Sequence, residues 1–202
     1  MLTKNDIEKV VKHEIGHYIL DSYNNIVPKQ IHFNYENPDF LKGDCEICYN
    51  LYLDNLNEIS NFSYQRAMIV CAGAGAAAAC LDFNQKRINQ KQAKIDFAEK
   101  EISDNTKFDV HLITYLMCDK SIRGDKNPET LSIRTKNLIF NKVFEIIEKY
   151  SDLIKELTEY ILPKVLELCG EGEICISNND LNSITHLTSE FGRKNPSIWD
   201  FE

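Results

Sequence analysis

The chain has no long hydrophobic run, no cluster of basic residues, a single tryptophan and only 5 prolines among 202 residues. Its most apolar stretch, 67–81, is short and mostly alanine and glycine, too weakly hydrophobic to span a bilayer. No membrane anchor is expected. The first six residues hold no basic segment followed by an apolar one, so no secretory leader is expected and the protein is placed in the cytoplasm. A net charge of -8 without clustered Lys and Arg argues against a nucleic-acid or anionic-membrane surface. The 7 cysteines are an odd, scattered set that fits reduced thiols, and disulfides are not expected. Cys45 and Cys48 have zinc-ligand spacing, but no second CxxC follows; Cys169 and Cys175 alone could complete such a site, and ordinary thiols beside a strand are the better account. The Gly73-Ala74-Gly75 run lacks the preceding strand, the third glycine and the Lys-Ser/Thr of a phosphate loop.

What is present is a 43% hydrophobic content, enough for a real core, and one specific motif. His13-Glu14-Ile15-Gly16-His17 is an HExxH pentapeptide inside a stretch, 6–23, that reads as one helix. At 3.6 residues per turn, positions i and i+4 share a face, so the two imidazoles can hold one divalent ion, and zinc suits them. Glu14 leans to the side of that position, where a carboxylate takes a proton from an activated water and hands it to a leaving amine. The competing account is two histidines on a solvated amphipathic helix.

Thr3 followed by Asp6 resembles a capping box, so the helix starts near Thr3, with Ile7, Val10, Val11, Ile15, Tyr18 and Ile19 at helical spacing. Pro28 cannot continue it. Residues 29–35 then alternate as a half-buried strand, a second strand is expected at 46–53, and 36–44 is turn chemistry between them. An open strand edge beside the metal would bind an extended peptide by backbone pairing. His32 lies on the polar side of its strand and reads as exposed rather than a ligand. From Ser63 to Leu81 a small-residue helix is expected to press against the HExxH helix and brace it. Further helices are expected at 87–102, at 106–118 after a cap at Asn105, at 130–150, at 151–169 and at 177–187, with Pro163 kinking or splitting the one at 151–169 and a loop at 119–129. His111 and His186 are given no metal role. The tail 188–202, with Pro196 and Trp199, reads as irregular, Trp199 packing on the body.

In this order the chain resembles the zinc peptidase domain of the FtsH-type membrane AAA proteases, over about residues 5–187. The points of resemblance are the HEAGH-like helix at His13–His17, a short strand region at 29–53, an AGRAAE-like helix at 72–79, and Asp109 followed by Val110. The C-terminal helices match that domain's helical tail. The resemblance implies a mainly α, α+β domain with a small sheet or hairpin near the active-site helix, a Zn2+ ion held by His13, His17 and Asp109, and Glu14 as the catalytic base. Asp104 and Asp96, and more remotely Asp82, are the reserve ligands. It implies a metalloendopeptidase acting on flexible or unfolded protein segments, with a homo-oligomer or a separate ATPase as partner. The chain departs from the family in having no AAA module or transmembrane segment, and in carrying Ala74 and Ala77 where the family has Arg and Glu. Two alternatives stand beside it. One is an ImmA/IrrE-type regulatory peptidase, suggested by His-Glu-Ile-Gly-His-Tyr-Ile-Leu but lacking the later small-residue helix. The other is an inactive scaffold that binds a protein partner.

Overall fold

The computed structural model describes residues 2–23, 28–47, 73–98 and 140–185, a mixed α/β arrangement that is mostly helical. In chain order these are α1 (Lys4–Tyr23), β1 (Pro28–Asn37), β2 (Phe40–Ile47), α2 (73–79), β3 (Leu81–Asp82), β4 (Arg87–Ile88), α3 (Gln90–Ala98), α4 (140–149), α5 (Ser151–Leu166), β5 (Gly172–Ser177) and α6 (Asn178–Thr185). No helix among the described residues is long and apolar enough to cross a membrane.

The first helix begins as its capping box dictates. The Thr3 backbone N–H and hydroxyl both donate to Asp6 Oδ2, at 3.0 and 2.6 Å, and the Asp6 N–H returns to Thr3 Oγ1 at 3.2 Å. Ile7, Val11, Ile15, Tyr18 and Ile19 are buried, while Val10 is only partly so. Buried residues occur around most of its circumference, because α5, β1, β2 and α2 all pack on it. Even Lys12 is enclosed: its ammonium donates to the Leu81 carbonyl at 2.6 Å and lies 4.6 Å over the Phe83 ring, tying the β3–β4 hairpin to α1.

The sheet has strand order β2-β1-β5, antiparallel throughout. Ile31, Phe33 and Tyr35 of β1 and Leu41 of β2 face the core, so the alternation read from 29–35 is observed. The second strand is a correction. It starts at Phe40 rather than at residue 46, because the chain reverses tightly at Pro38-Asp39, where Asn37 Oδ1 accepts the Asp39 N–H at 2.9 Å. Gly43 and Asp44, read as turn residues, lie inside β2; its expected part at 48–53 falls outside the described residues.

The C-terminal region holds a strand where none was expected. After α5 the backbone turns through positive φ at Cys169 (53°) and Gly170 (89°), and β5 then joins β1 from residues expected to be helical or connecting. Pro163 does not split α5, which runs on to Leu166; it sits in the last turn with its ring exposed, where few hydrogen bonds remain to be lost. Residues 87–88 pair as β4 instead of opening the helix, which starts at Gln90 and is described through Ala98, its expected part at 99–102 falling outside the described residues. The small-residue helix stops at 79, ahead of Leu81 in β3. The expected elements at 63–72, 106–118, 119–129 and 130–139, together with the tail, lie outside the described residues. Ile154, Leu157, Ile161 and Val165 of α5 and Val143, Ile146 and Ile147 of α4 complete the core. Each such side chain contributes about 1.5–3 kcal/mol by leaving water.

Candidate metal centre

His13 and His17 stand one turn apart on α1, and their Nε2 atoms are 3.1 Å from each other. The ring planes cross at 70° with centroids 4.8 Å apart, so the two nitrogens converge without the rings stacking. Two ligands each about 2.0–2.1 Å from a tetrahedral ion are themselves roughly 3.3 Å apart, so this pair fits one edge of a zinc tetrahedron. The imidazoles supply the right donor type as well as the right spacing. His13 is 6% exposed and Glu14 3%, with His17 half-buried, so the pair is sheltered on one side and reachable on the other.

Three glycines account for how closely the surroundings approach. A Cβ added to Gly16 would lie 2.5 Å from the Ala74 carbonyl oxygen and 2.8 Å from Ala78 Cβ, so α1 and α2 touch backbone to backbone. The small-residue helix therefore does press on the HExxH helix, as its composition led one to expect. Gly75 of α2 lies over the face of the His13 ring, nearest its Cε1, Nε2 and Cδ2 atoms, and Gly43 of β2 lies against the Glu14 carboxyl, where a Cβ would be 2.7 Å from Oε1. Neither contact was foreseen. Gly43 read as turn chemistry, although the Leu41, Gly43, Cys45 alternation was a signal that it faces the core.

Cys45 is half-buried on β2, and its thiol lies 3.9 Å from Asp21 Oδ2. Burial pushes that thiol well up, and the carboxylates of Asp21 and Glu14 add to the effect. On the opposite face of the sheet His32 pairs with Glu173 at 3.2 Å, away from the two histidines. Asp96 accepts from Cys80 Sγ at 3.3 Å and from Gln92 Nε2 at 2.6 Å; Asp82 accepts the Asn84 and Gln85 N–H groups in a turn. Among the described residues no group of three His, Cys, Asp or Glu could hold a metal ion, so neither Asp96 nor Asp82 joins the pair. Asp109, Asp104, Cys48, His111 and His186 lie outside the described residues.

A scan against protein-family models finds no match, and neither do searches of curated proteins and of solved structures.

Proposed function

We propose that the chain is a zinc-dependent endopeptidase that hydrolyses flexible or unfolded protein segments. The observation that carries this is the 3.1 Å approach of the His13 and His17 Nε2 atoms, with the Glu14 carboxyl on the neighbouring helical position lodged against β2. His13 and His17 would hold the ion together with Asp109, the last supplied by the resemblance to FtsH-type peptidase domains. When bound, zinc supplies Lewis-acid chemistry, acidifying a water and polarising the scissile carbonyl. Glu14 takes the proton from the attacking water and passes it to the departing amine nitrogen, so that one carboxylate serves as base and then acid. Among the described residues β2 is at the margin of the sheet and Gly43 brings it to Glu14, so a substrate strand pairing with β2 would lay its peptide bond beside that carboxyl. An extended segment is what such pairing requires, hence the preference for unfolded substrates. The same reading places the protein in a reducing cytoplasm, as a homo-oligomer or served by a separate ATPase.

One observation favours the scaffold alternative: Ala74 and Ala77 are fully buried where the peptidase family carries Arg and Glu, so α2 offers the histidines no charged support at those positions. Digestion of casein with and without a chelator separates the two. Glu14→Gln is expected to retain zinc and to lower cleavage by about 10²–10⁴-fold. A Glu14→Gln protein that still digests casein refutes the role of Glu14, and a wild-type protein that binds no zinc refutes the peptidase.

A further inference from the structure

We propose that Gly43 and Gly75 are the positioning residues of this centre, Gly75 seating the His13 ring by its face and Gly43 seating the Glu14 carboxyl. The roles rest on the peptidase reading, whereas the contacts stand independently of it. His13 and Glu14 are consecutive, so their side chains leave α1 about 100° apart and meet two different elements. His13 meets α2 and Glu14 meets β2.

A Cβ built on Gly75 would fall at nearly equal distances from His13 Cε1, Nε2 and Cδ2, which puts it over the face of the ring rather than in line with the Nε2 lone pair. The in-plane direction of Nε2 is therefore not the one that Gly75 occupies, and His17 Nε2 lies 3.1 Å from that atom. At Gly43 the added atom would lie 2.7 Å from Glu14 Oε1 and 2.8 Å from Cδ, so the strand backbone itself is the floor beneath the carboxyl. Neither clash can be relieved by moving α1. Gly16 already rests on the Ala74 carbonyl, and Ile15 and Ile19 are fully enclosed. The side chains must yield instead. A methyl at 75 turns an ion-binding ring, and a methyl at 43 displaces a proton-transferring carboxyl while leaving both imidazoles in place.

The two substitutions therefore separate binding from turnover. With the full chain, Gly75→Ala is expected to weaken zinc binding about 10–100-fold in competition with a chromophoric chelator and to change the visible spectrum of the cobalt-substituted protein. Gly43→Ala is expected to leave zinc affinity and KM unchanged and to lower kcat on casein by about 100-fold. Melting of the metal-free protein tests the contacts directly. Gly43→Ala should lower Tm by about 4–8 °C in the wild-type background, and by much less when Glu14→Ala has removed the atoms it strikes. Gly75→Ala should behave in the same way with His13→Ala. If a single variant does not fold, recovery of folding in its double variant supports the contact and continued failure overturns it. Equal losses of Tm in both backgrounds, a wild-type kcat for Gly43→Ala, or a wild-type zinc affinity for Gly75→Ala also overturn the proposal. A wild-type chain that neither binds zinc nor cleaves casein removes the peptidase reading, and the melting cycles still decide the contacts.

Discussion

The Tyr18 hydroxyl, one residue beyond His17, donates to Asn178 Oδ1 at 3.0 Å and lies 3.2 Å from Asn182 Oδ1, so the helix that carries both histidines is tied to the last described helix of the chain. Burial pushes the phenol above its usual range and keeps it a neutral donor. Tyr18→Phe removes that donor and leaves two amide oxygens facing a ring. A loss of about 0.5–1.5 kcal/mol is expected in urea unfolding, with zinc content unaltered. Unchanged stability would show that the link between α1 and α6 contributes nothing.

A second expectation concerns acid. The Thr3 hydrogen bonds hold the Asp6 carboxyl below its ordinary value of 3.8, the side-chain bond first and the backbone bond second. The folded state therefore binds the proton less readily than the unfolded state, so the cap stabilises the protein above that ordinary value and is lost as pH falls below it. The destabilisation caused by Asp6→Asn should be constant from neutral pH to about pH 5 and shrink below about pH 4, as followed by thermal melting across pH. A difference that persists undiminished at pH 2.5 would contradict this.

The third ligand can be assigned by metal content. Asp109→Asn is expected to lose zinc to dialysis, whereas Asp104→Asn and Asp96→Asn keep it, as read by elemental analysis. For Asp96 the expectation has a visible cause, since Cys80 and Gln92 already occupy its oxygens. Loss of zinc from Asp96→Asn with retention in Asp109→Asn would reverse the assignment.

The parts of the fold that were legible in the sequence are those governed by short spacing. The Thr3–Asp6 box, the apolar stripe of α1, the alternation of β1 and the packing of a small-residue helix on Gly16 all follow from residues within a turn or two, or from side-chain size. Ser177 and Asp180 repeat the same box at the start of α6. The failures were of two kinds. Gly43-Asp44 is a common turn pair, but the earlier Asn37-Pro38 turn reverses the chain first and leaves Gly43 within a strand. The run Gly172–Ser177 is too short to announce a strand, and it becomes one because β1 offers a free edge for Ile174 and Ile176 to pair along.

Local helical geometry alone put two imidazoles on one face, with a carboxylate beside them, and so the pentapeptide carried the chemistry before any fold was known. What lies against them was decided in three dimensions. Nothing near residue 13 announces that Gly75 will cover its ring, nor anything near residue 14 that Gly43 will lie beneath its carboxyl. Such contacts join elements distant along the chain and depend on how closely backbones pack, and no periodicity in the residues themselves records that distance.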